Sequence, residues 1–263
     1  MIQNLKLFIL KIIWLYKNRA KINHGAAIIM NWFGNRYPIT YNTDGLATCN
    51  NCDFISEPKF AKAYQKAKDT NPWEGFTLQW RTHIVCYFAN LVKNLEGDYV
   101  ECGVNTGAYS RAVIDYINFE ETGKRFYLLD TFEGLVENLL TEEEKKGDGI
   151  TQYLTHYNNV YDAVLKTFSP FNVSVIKGAV PDTLPDCDAQ KICYLSIDMN
   201  CVAPEIAAAN YFWDKIVKGG VIILDDYGFP MHINQKLAFD KFAKEKGVEI
   251  LCLPTGQGII IKN

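Results

Sequence analysis

Five carboxylates in this sequence, Glu101, Asp130, Asp198, Asp225 and Asp226, stand at or near the ends of short apolar runs. A buried carboxylate is costly unless it is hydrogen-bonded, paired or metal-bound, so five in equivalent places point to a site. Asp198 closes Ile-Cys-Tyr-Leu-Ser-Ile-Asp, and Asp225 and Asp226 close Gly-Val-Ile-Ile-Leu-Asp-Asp. If those two runs are neighbouring strands, three carboxylates meet, repel one another and raise their own pKa values; a divalent cation relieves this. An all-oxygen set favours Mg2+, Mn2+ or Ca2+ over zinc. Such a cation can hold a substrate hydroxyl, lower its pKa and aim its oxygen at an electrophile. Asp130 lies one strand–helix unit beyond a glycine turn, where a carboxylate accepts hydrogen bonds from both hydroxyls of a ribose. Glu101 opens that turn, Glu-Cys-Gly-Val-Asn-Thr-Gly at 101–107. Glycine there lets backbone approach a nucleotide-like ligand, and the helix that follows offers free N–H groups.

The elements that must position these groups follow from hydrophobic period. Trp80, Ile84, Tyr87, Phe88, Leu91, Val92 and Leu95 recur at helical spacing and predict a helix over 80–95. Pro58 to Lys68 predicts a shorter helix opened by proline. From Asp98 onward strands and helices alternate. Strands are expected at 99–104, 125–130, 173–177, 192–198 and 220–225, and helices at 108–117, 159–167, 204–217 and 234–246. A closing hairpin, 248–253 with 258–262, turns at Pro254-Thr255-Gly256. Apolar strands separated by helices imply a mostly parallel sheet covered on both faces, with ligands at the carboxyl ends of its strands. The expectation is a doubly wound α/β domain over 80–263, its seven-stranded sheet ending in an antiparallel strand. A helical and irregular extension over 1–79 precedes it.

Composition narrows the partners. The 27 basic and 30 acidic residues leave a net charge of -3, which gives no electrostatic case for nucleic acid. Cys102, Cys193 and Cys252 sit in strand-like runs, where cysteine behaves as a small buried hydrophobe. Free thiols imply a reducing compartment, and the cytoplasm is expected. Cys49 and Cys52 form a lone Cys-x-x-Cys pair without the two further ligands that zinc needs. The apolar run from Met1 to Tyr16 is interrupted by Lys6 and Lys11 and falls short of the roughly 20 residues of a membrane span. A helix packed on the domain or on a second copy is expected, hence a homodimer. Contact with an anionic membrane surface is the alternative.

Glu-x-Gly-x-x-x-Gly at the end of a first strand resembles the first motif of class I S-adenosylmethionine (SAM)-dependent methyltransferases. The ordered set is more specific. Tyr-Val-Glu-Cys-Gly-Val at 99–104, Leu-Asp-Thr-Phe-Glu-Gly at 129–134 and Lys-Gly-Ala-Val-Pro-Asp-Thr-Leu-Pro at 177–185 come first. Asp198 and Leu-Asp-Asp-Tyr at 224–227 follow. Together they resemble the macrocin O-methyltransferase (TylF-like) family, over roughly Trp80 to the C-terminus. That resemblance implies SAM- and Mg2+-dependent methylation of a hydroxyl on a sugar or glycosylated small molecule. It implies Asp198, Asp225 and Asp226 as metal ligands, with Glu101, Gly103 and Asp130 holding the cofactor. Val104, Asn105, Gly107, Ser110, Thr131, Phe132, Gly178 and Asp198 extend the cofactor-binding set along the same motifs.

One position departs from the family pattern. A second aspartate, two residues after the first and taken as the general base, is here Asn200. An amide does not accept a proton at neutral pH. Either a metal-bound hydroxyl needs no strong base, or another group serves, and His232 is the first candidate because histidine titrates near neutrality. His83 and His156 rank below it. Asn200 also keeps in view a SAM-binding protein without turnover, and a catechol-like diol is the rival acceptor. Methyl transfer is an in-line displacement that asks the protein to position reactants and exclude water. The segments before Trp80 and at Thr141 to Tyr157 are the expected lids, with Trp73, Phe76 and Trp80 as aromatic candidates for stacking.

Overall fold

A computed structural model describes residues 39–73, 75–145 and 159–263. Residues 1–16, with any subunit or membrane contact they make, lie outside the described residues, as does His156. Two compact units are present, Met1–Cys52 and Asp53–Asn263.

In the first unit the stretch expected to be irregular contains a hairpin, β1 (Tyr41–Thr43) and β2 (Leu46–Thr48), paired antiparallel. Its two-residue turn is Asp44-Gly45, both at positive φ, the geometry that matches the strand twist. Cys49 and Cys52 follow as half-buried free thiols.

The second unit begins with helix α1 (Pro58–Lys68), matching its expected bounds, and α2 (Gln79–Val92). Residues 53–79 fall within this unit. Strands β3 (Asp98–Cys102), β4 (Phe126–Asp130), β5 (Val173–Lys177), β6 (Ile192–Ile197) and β7 (Ile216–Leu224) are parallel. The closing strands β8 (Leu251–Cys252) and β9 (Gly258–Ile261) are antiparallel, and β9 pairs with β7. The order across the seven-stranded sheet is β5-β4-β3-β6-β7-β9-β8. Between strands run α3 (Ala108–Ile117), the four-residue α4 (Glu142–Lys145), α5 (Tyr161–Phe168), α6 (Val202–Trp213) and α7 (Ile233–Lys246).

The two faces of the sheet bury two cores, as the near-continuous apolar strands require. On one face Tyr99 and Tyr194 meet Phe60, Val85, Ala89 and Val113 of α1, α2 and α3. On the other, Val100, Leu195 and Leu224 meet Phe212 of α6 and Phe239 of α7. Helix α6 stops at Trp213, four residues short of the expected Val217. The β-branched Ile216 and Val217 instead begin β7, where Ile216 pairs with Ile192. Cys102 and Cys193 are buried as expected, but Cys252 is exposed because β8 is the edge strand.

Register brings the site together. Leu129 pairs with Cys102, Cys102 with Ile197, and Ile197 with Leu224. The residues that follow, Asp130, Gly103, Asp198 and Asp225, therefore come level at one rim. The chain leaves β3 toward β4 on one side and β6 toward β7 on the other, so a crevice opens between β3 and β6.

Candidate active site

A cleft lies along this rim, open to solvent. The turn after β3 contributes Gly103, Val104, Asn105 and Thr106, and β4 ends in it with Leu129, Asp130 and Thr131. The segment before α2 contributes Pro72, Trp73, Phe76 and Leu78. Arg81, Asp198, Met199, Asn200, Asp225 and Asp226 complete that part of the wall.

The glycines of the turn are explained first by chain against chain. Gly103 has φ +87°, and a Cβ there would lie 1.8 Å from the carbonyl oxygen of Asp198. Only glycine lets the ends of β3 and β6 close to this distance, which holds Asp198 at the rim. Gly107, at φ +82°, caps α3, and a Cβ on it would strike the ring of Phe168. Asp130 binds the same turn. Its Oδ2 accepts from the N–H groups of Val104 (2.5 Å) and Asn105 (2.7 Å), and its Oδ1 from Phe132 N–H (2.6 Å), while the single Thr131 hydroxyl proton goes to Gly134 O (2.6 Å). Three of the four acceptor positions of the carboxylate are thus engaged, which leaves one for a ribose hydroxyl. Glu101 is buried in the floor of the cleft and accepts a hydrogen bond from the Ser110 hydroxyl. Burial pushes its carboxyl up to about 8, with the Ser110 bond opposing that shift.

At the other acidic focus, one ligand atom from each of Asp198, Asp225 and Asp226 lies within 4.8 Å of the others. Parallel pairing of β6 with β7 makes Asp198 and Asp225 neighbours, the condition on which the sequence argument rested. Burial, then the charges of Asp225 and Asp226, raise the pKa of Asp198 well above the usual carboxylate range, and Arg81 opposes them. Arg81 pairs directly with Asp225 and lies 3.6 Å from Asp226. The buried Gln257 donates to the other oxygen of Asp225 at 3.0 Å and is itself oriented by Thr255. The all-carboxylate donor set fits a hard divalent cation, and an organic cation already lies against two of its members.

Asn200 lines the cleft at φ +57° and its amide donates to Asp198 Oδ1 at 3.3 Å. His232 sits in a short turn, Pro230–His232, buried beside the triad rather than in the cleft wall. Its Nε2 is 3.7 Å from Asp226 Oδ2 and its Nδ1 is 2.8 Å from the Gln235 amide. His83 lies away from the cleft wall, packed with Phe54, Phe60 and Trp80. Glu205, buried under the loop after β6, accepts from Met199 N–H at 3.1 Å, and burial pushes it up to about 8.

Glu101, Gly103, Val104, Asn105, Asp130, Thr131, Gly178 and Asp198 of the expected cofactor set line one cleft with Asp225 and Asp226. Gly107, Ser110 and Phe132 do not line it: they support the turn, Glu101 and Asp130 respectively. Of the aromatic candidates, Trp73 and Phe76 reach the cleft, whereas Trp80 packs against Phe54 with ring centroids 4.6 Å apart. Sequence reasoning missed Arg81 and Gln257. Arg81 had a signal, being the sole Lys or Arg of the 14-residue α2 below an acidic rim. Gln257 had none, because its reach to Asp225 depends on how β9 folds back on β7. Of the expected second lid, Thr141–Lys145 is described. Thr141 and Glu144 cap each other reciprocally, and Glu144 also accepts from Val202 N–H at 2.8 Å, tying α4 to the start of α6.

Comparison with known proteins supplies the family. Among curated proteins, none matches the sequence. Similar folds include the O-methyltransferase NovP, at 20% identity and a TM-score of 0.57, covering 70% of this chain and 79% of that one. The calicheamicin methyltransferase CalS11 is similar at 14% identity and a TM-score of 0.57, covering 81% and 98%. The SAH-bound Podospora anserina methyltransferase PaMTH1 is similar at 13% identity and a TM-score of 0.50, covering 79% and 88%. At these identities the likeness establishes the fold, a class I methyltransferase sheet. The family model for macrocin-O-methyltransferase (TylF) matches residues 60–251, beginning in α1 and so reaching further toward the N-terminus than the motifs alone indicated. Motif loop, acidic rim, sheet order and family match agree, and the chain belongs to the macrocin O-methyltransferase (TylF) family of SAM-dependent O-methyltransferases.

Proposed function

We propose that this enzyme transfers a methyl group from SAM to a hydroxyl of a sugar or glycosylated small molecule, with a divalent cation, Mg2+ by preference, held by Asp198, Asp225 and Asp226. The observation that carries the reading is the convergence of those three carboxylates, within 4.8 Å, on the cleft that also holds the glycine turn. A divalent ion bound there supplies charge to lower the pKa of an acceptor hydroxyl. Glu101 and the turn at Gly103–Asn105 shape the cofactor end, and Asp130 holds that turn in place while offering its carboxylate to a ribose. Trp73 and Phe76 bring aromatic surface to the same cleft, where it can cover a sugar ring and exclude water. Asn200 steadies Asp198, and His232 is the candidate sink for the hydroxyl proton by way of Asp226.

Support for a sugar acceptor comes from CalS11, described as a TDP-rhamnose 3'-O-methyltransferase. Eight free cysteines support work in a reducing compartment, the cytoplasm. No described helix is long and apolar enough to cross a membrane. The test is a SAM titration followed by methyl transfer to a panel of nucleotide sugars, glycosides and catechols, with Mg2+ or with EDTA. Turnover on sugars that EDTA stops is expected. Turnover unaffected by EDTA removes the metal role, turnover on catechols alone removes the sugar, and cofactor binding without turnover on any acceptor removes the enzyme reading.

A further inference from the structure

Arg81 is the feature that the proposed chemistry does not use. Its side chain is only 12% exposed, enters the cleft, and touches Asp225 directly and Asp226 at 3.6 Å. Its guanidinium also lies over the ring of Phe229, 4.9 Å from the centroid. A planar fork in so dry a place grips carboxylates far more firmly than a surface pair does. The contact is specific in its target: Nη1 of the guanidinium reaches both Asp225 and Asp226, two of the three residues that make the oxygen set for a divalent ion. A hard cation needs oxygens at about 2.0–2.6 Å, close enough that the fork and the ion compete for the same Asp225 oxygen. The two cations also repel each other across a distance that little water screens.

We infer that Arg81 is the built-in counter-cation of the acidic triad, and that a divalent ion binds by exchange with it. Arg81 neutralises Asp225 and Asp226 while no metal is present, which keeps three carboxylates assembled that would otherwise repel. Gln257 stays on the far oxygen of Asp225 throughout and fixes that side chain during the exchange. The site is then preformed but moderate in affinity, because each ion must displace a guanidinium. The inference rests on the metal-binding reading above.

The test uses the full chain as wild type, Arg81→Gln and Arg81→Lys. Mn2+ affinity is measured by calorimetry in chelator-free buffer, and melting temperature is measured in EDTA and in saturating Mn2+. Arg81→Gln should bind Mn2+ about tenfold or more tighter than wild type, since a neighbouring positive charge is gone. It should also melt lower in EDTA and recover more with Mn2+, a pattern that loss of packing alone does not produce. Arg81→Lys keeps the charge without the fork and should fall between the two. Should Arg81→Gln fold only with Mn2+, the inference is supported. Should it not fold at all, the Lys variant decides, and an affinity no tighter than wild type overturns the inference. Wild type and Gln variant binding Mn2+ equally well, or the variant more weakly, overturns the exchange and leaves the metal reading standing. No binding to any of the three overturns both.

Discussion

Replacing Gly103 by alanine isolates the contact on which the rim depends. The new Cβ would sit 1.8 Å from Asp198 O and 2.4 Å from its carbonyl carbon, backbone atoms with no rotamer to yield. To reach 3.0 Å, below which real Cβ contacts essentially never fall, the ends of β3 and β6 must part by about 1.2 Å. That parting strains the bonds from Asp198 N–H to Cys102 O (2.8 Å) and from Gly103 N–H to Leu129 O (2.9 Å), each worth about 0.5–1.5 kcal/mol net. Alanine at positive φ adds roughly 1–2 kcal/mol, so Gly103→Ala should cost about 2–5 kcal/mol in all. Gly123→Ala is the internal control. Its φ of +66° carries the same backbone penalty, but nothing lies within 4 Å of its Cβ, so only the strain remains. Urea denaturation of both variants measures the difference, and calorimetry with SAM reads the site. Gly103→Ala should lose more stability than Gly123→Ala and bind SAM more weakly. Equal losses in the two variants, or wild-type SAM affinity in Gly103→Ala, would refute the reasoning.

Glu101→Gln tests the buried carboxyl. Its pKa is raised from 4.5 to about 8, chiefly by burial, so the folded protein holds the proton more tightly than the unfolded chain does. The stability this contributes is complete below about pH 4.5 and is lost as pH rises through about 8, at roughly 1.4 kcal/mol per pKa unit. Wild type without cofactor should therefore weaken from pH 5 to pH 9 more than the Gln variant, and parallel denaturation curves would contradict this. Asp225→Ala should abolish turnover while leaving SAM affinity nearly unchanged; a collapse of SAM binding with the fold intact would show that the rim is divided wrongly. Gln257→Leu removes the donor to Asp225 Oδ1 and should cost about 1–3 kcal/mol in thermal unfolding. It should also alter Mn2+ affinity, and an unchanged Mn2+ isotherm would remove Gln257 from the site.

Strand and helix types were legible wherever period and punctuation agreed. Pro58–Lys68, Ala108–Ile117 and Val173–Lys177 match their expected bounds because proline, glycine and polar turn residues bracket an unbroken pattern. The hairpin at Tyr41–Thr48 was not legible: its strands have three residues each, too few for a period to show beside the Asn and Thr around them. The acidic rim was legible because residue type and place at a strand end are local properties. What a side chain touches is not local. The sequence by itself determined a parallel sheet with carboxylates at its strand ends and a glycine turn after β3. Only the folded chain decided that Gly103 serves the approach to Asp198, that Asp130 braces the turn, and that Arg81 and Gln257 grip Asp225 from positions 144 and 32 residues away. Those contacts are set by strand register and by how α2 and β9 pack beside β7, and packing joins residues whose distance along the chain carries no trace of it.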